Sequence, residues 1–202
     1  QTKIDMATCN FKGRVFTKKD VKTFFKKFHL SSGINNLDFY SNWTYFLDND
    51  GLVLKEDLQI SDETIKGASD ILSEYYGDEL YITSITAINR LNCKGYKEQF
   101  DGNSMEMASV LSESDCSDWC IPENDIGATS SFFRTILVNK KTVGKETKYS
   151  SLIRLYILKK HFGKYLSISC IQKELKEQAL IDNHVSIQML NDIFSEWFSG
   201  PV

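Results

Sequence analysis

Three amphipathic segments separated by two short breaks fill residues 149–198, and no other stretch constrains the fold as strongly. Apolar residues recur near a helical period over 149–162, 169–179 and 186–198, which predicts three consecutive helices. Gly163 separates the first two segments, because glycine readily adopts the left-handed conformation that ends a helix. Three short helices in this order favour a helix-turn-helix or winged-helix core, or else a simple three-helix packing unit.

Short polar residues mark where several helices begin. Thr17 and Asp20 have the spacing of a capping box, in which each side chain bonds the backbone amide of the other residue. Ser169 and Gln172 repeat that spacing before the second C-terminal helix, and Ser186 is placed to cap the third.

Residues 1–60 predict a second unit with the same organisation. A helix over 18–30 is indicated by apolar residues that recur at i, i+3, i+4 and i+7 from Val21. A helix over 36–48 and a strand over 52–58 follow, on either side of a turn-prone Asn-Asp-Gly sequence. Helix, turn, helix and strand in this order are typical of the second half of a winged helix.

The whole chain is predicted to be α+β and predominantly helical, with winged-helix-like units at its N- and C-terminal ends. No repeat is evident in the residue identities. Besides those above, the predicted helices are 62–76, a short one after Ser84, 105–111 and 130–139, and the predicted strands are 7–16 and 79–83. The predicted regions are a basic unit over 1–60, an acidic middle over 61–128 and a basic three-helix unit over 129–202, which can pack as one domain.

Charge is distributed unevenly along the chain, although the net charge is only −3. Residues 1–30 hold eight Lys and Arg against two acids, and residues 128–202 hold eleven against six. The intervening residues 31–127 hold five against nineteen. Two basic ends therefore flank an acidic middle, which favours local contact with a polyanion or, alternatively, attraction between regions of one compact domain.

Composition places the chain in a reducing compartment. The 5 Cys are an odd number and are scattered, which is more typical of an intracellular protein, cytoplasmic or nuclear, than of a disulfide framework. The apolar runs are short and interrupted, so no membrane span or membrane partner is predicted.

Residue patterns for catalysis or cofactor binding are weak. Cys116 and Cys120 are four residues apart but lack a second ligand pair, so no metal site is predicted. The acidic loop 113–125 does not have EF-hand spacing. We therefore predict no catalytic residues, no metal and no cofactor, and expect a binding protein rather than an enzyme.

The leading functional prediction is nucleic-acid binding, mainly to the phosphate backbone and with weak sequence preference. The alternative is a non-enzymatic protein–protein interaction module, an adaptor or inhibitor that uses the helical scaffold or the acidic middle. The candidate phosphate contacts are Lys18, Lys19, Lys22, Lys26 and Lys27 at one end and Arg154, Lys159, Lys160 and Lys164 at the other.

Overall fold

The computed structural model describes residues 2–35, 37–126, 135–144 and 147–198. Within these ranges the chain is α+β and predominantly helical, as predicted, with ten α-helices and six short β-strands. The helices are α1 Lys3–Phe11, α2 Lys18–Lys27, α3 Leu37–Ser41, α4 Asp62–Tyr76, α5 Ser84–Cys93, α6 Ser104–Glu113, α7 Lys140–Val143, α8 Tyr149–His161, α9 Ile168–Glu177 and α10 Ile187–Phe198. The strands are β1 Phe16–Thr17, β2 Thr44–Phe46, β3 Gly51–Leu54, β4 Ile82–Thr83, β5 Trp119–Cys120 and β6 Ile136–Asn139.

One order of elements occurs twice: helix, strand, helix, helix, strand, strand. We name α1 to β3 repeat 1 and α4 to β6 repeat 2. Each repeat closes with a three-stranded sheet in which the last strand lies in the centre, in the order β1-β3-β2 and β4-β6-β5. All four strand pairs are antiparallel. The helices α8, α9 and α10 follow in the order of the three helices of each repeat, and we name them repeat 3.

The three repeats begin their second helix in the same way. The side chain of Thr17 accepts a hydrogen bond from the third backbone amide of α2, and Thr83 and Ser167 do the same for α5 and α9. Each capping residue follows an apolar one, and each helix is ten residues long. The capping residue satisfies an otherwise free amide at the helix start, so in repeats 1 and 2 the strand passes directly into the helix.

These three helices also end in the same way. Twelve residues after the cap, His29, Gly95 and Ala179 all have positive φ, at 56°, 94° and 53°. The amide of the next residue bonds the carbonyl five positions earlier, in the pattern of a Schellman motif. These bonds are Leu30 N to Phe25 O at 3.0 Å, Tyr96 N to Leu91 O at 3.1 Å and Leu180 N to Leu175 O at 2.8 Å. The start and the end of the helix are therefore fixed equally in all three repeats.

Buried positions follow the same register. Eight residues after the cap, Phe25, Leu91 and Leu175 are completely buried, each in a different hydrophobic cluster. Four residues after the cap the side chains are also apolar, namely Val21, Ala87 and Ile171. The chain thus contains an internal repeat that preserves residue class and spacing but not identity, and for that reason the sequence prediction missed it.

Polar contacts join successive repeats. The carboxylate of Asp48, between β2 and β3, accepts hydrogen bonds from the backbone amides of Ser104 and Met105 at the start of α6, both at 3.2 Å. Between repeats 2 and 3, the Tyr81 hydroxyl donates to the Gln178 carbonyl at 2.8 Å. The division into regions 1–60, 61–128 and 129–202 remains a prediction.

Several predicted elements are wrong. Residues 7–11 of the strand predicted over 7–16 belong instead to α1, because Thr2 and Asp5 make a capping box that starts a helix. The predicted helix over 36–48 ends at Ser41, and residues 44–46 pair with β3. Residues 136–139 of the predicted helix over 130–139 form the buried central strand β6, as the β-branched Ile and Val favour, while 130–134 lie outside the described residues.

The other predicted elements are confirmed with small changes at their ends. The strand predicted over 52–58 stops at Leu54, where a 3-10 turn begins, and the strand predicted over 79–83 is reduced to Ile82–Thr83. The cap of α9 is Ser167 rather than Ser169, and the Gln172 side chain bonds the Val185 carbonyl instead of the helix start. The longest described helix, α4, has 15 residues, and no described helix is long and apolar enough to cross a membrane.

Candidate nucleic-acid interface

Helix α2 separates apolar and cationic residues onto opposite sides. Val21 and Phe25 are completely buried, and Phe24 packs against the same cluster. At 100° per residue, four exposed lysines cover an arc of roughly 140° on the other side. These lysines are Lys19, Lys22, Lys26 and Lys27. The helix therefore presents a continuous cationic face to solvent, which we name the α2 lysine face.

The four ammonium groups of this face make no ion pair within the described part of the chain. Among the described residues, no carboxylate lies within ion-pair distance of any of them, whereas Lys12 pairs with Glu56 and Lys55 with Glu113. Lys18 differs from the four, because its ammonium lies 5.7 Å from the ring centroid of Tyr40 and 5.0 Å from that of Phe46. Four of the five predicted N-terminal cations thus share one solvent-facing surface, and the fifth is engaged by aromatic rings.

The predicted C-terminal cations do not form one surface of this kind. Lys160 donates to the Tyr156 hydroxyl at 2.8 Å and pairs with Glu174 at 3.1 Å. Lys159 lines a cleft of about 500 Å³ between repeats 2 and 3. Arg154 and Lys164 line a different groove, of about 380 Å³, on repeat 3. The C-terminal set is therefore divided between an internal network and two concave surfaces.

Glu174 is the centre of that internal network. Burial opposes ionisation of its carboxyl group, but hydrogen bonds from Tyr156, His161 and Lys160 outweigh burial and lower the pKa of Glu174 to about 2. His161 lies 2.8 Å from a carboxylate oxygen and Tyr156 donates to the other. The network ties the end of α8 to α9, so Lys160 and His161 serve to hold repeat 3 together.

The third helices of the repeats offer little for base recognition. Helix α6 is buried over most of its length, and its Glu113 pairs with Lys55 of repeat 1. Helix α10 contains no Lys or Arg, and Gln188 on it bonds Asp192. Helix α3 has only five residues. Because specific readout needs side chains that reach base edges, contact through these helices would carry little sequence information.

The acidic loop is used within the protein. Asp118 pairs with Lys141, and Asp125 accepts hydrogen bonds from both the backbone and the side chain of Ser150. Cys116 is exposed and Cys120 is buried, so the two thiols do not face one site. Throughout the described ranges there is no group of three or more His, Cys, Asp or Glu residues placed to hold a metal ion.

Two concave surfaces were not predicted. The cleft between repeats 2 and 3 contains Tyr76, Tyr81 and Tyr156, which are far apart in sequence and carry no shared motif. The groove on repeat 3 adjoins an exposed segment in which Phe162 is 84% exposed and Tyr165 completely exposed. The sequence alone could have indicated that segment, because three large apolar residues lie within five positions of a predicted helix break.

Comparison with profiles of known protein families, with curated protein sequences and with solved structures finds no match to this chain.

Proposed function

We propose that the protein binds nucleic acid through the phosphate backbone and that the α2 lysine face makes the principal contact. The observation that carries the proposal is the set of four exposed lysines that have no carboxylate partner among the described residues. A cationic surface already neutralised by internal acids would gain little from phosphate. A surface without such pairs can release condensed counterions from the nucleic acid on binding.

The order of elements in repeats 1 and 2 supports this proposal. Three helices with a strand after the first, followed by two antiparallel strands, is an arrangement that we interpret as winged-helix-like. Helix-turn-helix proteins combine groove contacts from one helix with backbone contacts from neighbouring elements. In this chain the cations are on the second helix of repeat 1, so backbone contact dominates and sequence preference is weak.

The direct test measures binding to random-sequence duplex and single-stranded DNA over a series of salt concentrations. For duplex DNA, log K falls against log salt with a slope near 0.9 for each phosphate contacted. Changing Lys22, Lys26 and Lys27 together to Glu is expected to weaken binding and to reduce that slope by roughly 2.7.

A matched control distinguishes binding through the α2 lysine face from an effect of net charge alone. Lys66, Lys97 and Lys173 are exposed on other parts of the chain, and changing these three to Glu alters the net charge equally. Binding lost in the first triple variant and kept in the second supports the proposal. Equal loss in both variants would contradict a specific role for α2, and the absence of parent binding at low salt would remove the function.

A further inference from the structure

Exposed apolar side chains are concentrated where α8 ends and α9 begins. Ten large apolar side chains are exposed among the described residues, and five of them lie between Leu155 and Leu166. The exposure is greatest in the turn between the two helices, where Phe162 is 84% exposed and Tyr165 is completely exposed. Clustered apolar exposure of this kind is typical of an interaction site, whereas single exposed apolar residues are ordinary.

The end of α8 brings the five side chains onto one surface. Leu155 and Leu158 lie on one side of that helix, roughly 60° apart, and Phe162 directly follows its last residue. Gly163 has a φ of 74° and turns the chain, and Tyr165 then lines the same groove as Leu158. We name this surface the apolar tip, and its members are Leu155, Leu158, Phe162, Tyr165 and Leu166.

The chain around the apolar tip is basic. Residues 147–173 contain six Lys and Arg and no Asp or Glu. Lys159 lies roughly 40° from Leu155 around α8, and Lys164 lies in the turn between the helices. Both lysines are exposed, and neither ammonium has a carboxylate partner among the described residues. The described residues that line the adjoining groove include no carboxylate either.

An anionic lipid surface fits both properties. Phe, Tyr and Leu side chains enter the boundary between headgroups and acyl chains, while neighbouring lysines contact anionic headgroups. Lysine can place its stem beside apolar groups and extend its charged end to the headgroup level. The most exposed members of the apolar tip are on a turn, and a bilayer can surround them without a complementary shape. An acidic polypeptide would need a cavity to cover the same side chains.

We propose that the apolar tip binds the surface of an anionic lipid bilayer, with Phe162 and Tyr165 inserted and with Lys159 and Lys164 at the headgroups. The contact is peripheral, since no described helix is long and apolar enough to cross a membrane. It differs from the sequence prediction of no membrane partner, because the exposure of the apolar tip depends on tertiary structure. The inference does not rest on nucleic-acid binding or on the α2 lysine face.

The direct test measures sedimentation of the 202-residue chain with phosphatidylcholine vesicles, prepared with and without phosphatidylserine and in the absence of nucleic acid. Binding is expected to be about tenfold or more stronger when phosphatidylserine is present, because the lysines are attracted to the anionic surface. This preference should decrease as salt rises, since counterions screen the attraction.

Two double variants separate the apolar and the cationic contributions. Phe162→Ser with Tyr165→Ser should weaken binding by about tenfold or more, because the inserted apolar area is lost. Its matched control is Val15→Ser with Ile85→Ser, at positions 64% and 61% exposed on other parts of the chain, and this control should bind normally. Circular dichroism and a thermal melt verify the fold of each variant.

The cationic variant, Lys159→Gln with Lys164→Gln, should lose most of the preference for phosphatidylserine. Lys66→Gln with Lys97→Gln changes the net charge equally at exposed positions outside the apolar tip, and it should keep that preference.

A spectroscopic signal reports insertion directly. Tyr165→Trp places an indole at the apolar tip, and its emission should shift to shorter wavelength with phosphatidylserine vesicles. Ile85→Trp is the control on α5 and should show no such shift.

Three outcomes would overturn the proposal. One is the absence of binding to anionic vesicles by a folded parent chain. Another is vesicle binding that the serine double variant at the apolar tip leaves unchanged. The third is self-association of the parent, or binding to polyglutamate, that this variant abolishes while vesicles are not bound, because a protein would then cover the apolar tip. The serine substitutions do not alter charge, so DNA binding through α2 should be unchanged, and the two proposals fail separately.

Discussion

Repeats 1 and 2 are closed by a central strand, whereas repeat 3 has the same helix start, helix end and buried positions and no such strand among the described residues. The cap, the ten-residue helix and the positive-φ residue after it are equivalent in all three. The residue before the cap, however, is buried in the first two and 40% exposed in the third. Local sequence signals therefore specify the helices independently of sheet closure.

The largest effect that separates closed from open repeats should come from the closing leucines. Leu52 and Leu137 are completely buried, so replacing either with Ala should lower the free energy of unfolding by about 2–5 kcal/mol. Leu166→Ala should cost about 1 kcal/mol or less, because much of that side chain already contacts water. Urea denaturation followed by fluorescence of the buried Trp43 and Trp119 measures the first two changes.

Hydrogen exchange of the α9 amides measures the change at Leu166, because exchange reports the local opening of each segment. A loss at Leu166 as large as that at Leu52 would mean that repeat 3 is closed in solution, and the comparison would fail.

The second effect concerns pH. The pKa of the buried Glu106 is raised, whereas the pKa of Glu174, which accepts several hydrogen bonds, is lowered. Burial raises the pKa of Glu106 to about 7, and Asp101 and Asp48 add to the increase. Its pKa in the folded state exceeds the unfolded value, so stability is complete below about pH 4.5 and is lost as pH rises through 7. Glu106→Gln should remove this loss, which amounts to about 3 kcal/mol at most.

Glu174 gives the opposite sign within repeat 3. Its pKa is lowered to about 2 because hydrogen bonds to the carboxylate outweigh burial, so its contribution is complete above about pH 4.5 and is lost as pH falls toward 2. Unfolding of the parent and of Glu106→Gln, measured between pH 3 and 8, tests both signs. If the parent were more stable at pH 8 than at pH 5, and Glu106→Gln behaved in the same way, Glu106 would not be the cause of a loss of stability at high pH.

Sequence patterns predicted α2, α4, α5, α6 and the three helices of repeat 3, because caps and apolar spacing act over a few residues. Thr17 with Asp20 and the apolar face from Val21 were sufficient to predict α2. The strands were predicted poorly, because β6 is defined by pairing with β4 some fifty residues earlier. The repeat was missed since only residue classes recur at Thr17, Thr83 and Ser167.

Part of the candidate site could also be predicted from the sequence, because local patterns define the faces of a helix. The α2 lysine face follows from helical periodicity alone. The engagement of Lys160 by Glu174, and the groove beside Leu166, depend on tertiary contacts that no local pattern reports.

The smallest predicted effect tests whether the three helix ends are equivalent. Ala179 has a φ of 53° and Gly95 a φ of 94° at the same position after their helices. A β-carbon is unfavourable in this conformation, so Ala179→Gly should stabilise repeat 3 by about 1 kcal/mol once the added flexibility of the unfolded chain is included. A Cβ added at Gly95 meets no atom within 4 Å, so Gly95→Ala should destabilise repeat 2 by a similar amount for conformational reasons alone.

His29→Gly is the internal control for repeat 1, because His29 also has positive φ, at 56°. It should stabilise in the same direction as Ala179→Gly. Hydrogen exchange of the Leu30, Tyr96 and Leu180 amides reports each Schellman bond separately, which assigns the change to its own repeat. If Ala179→Gly destabilised the chain, or if exchange slowed at Leu30 instead of Leu180, the ends of α2 and α9 would not be equivalent. The third repeat would then differ from the first two in its helices as well as in having no closing strand among the described residues.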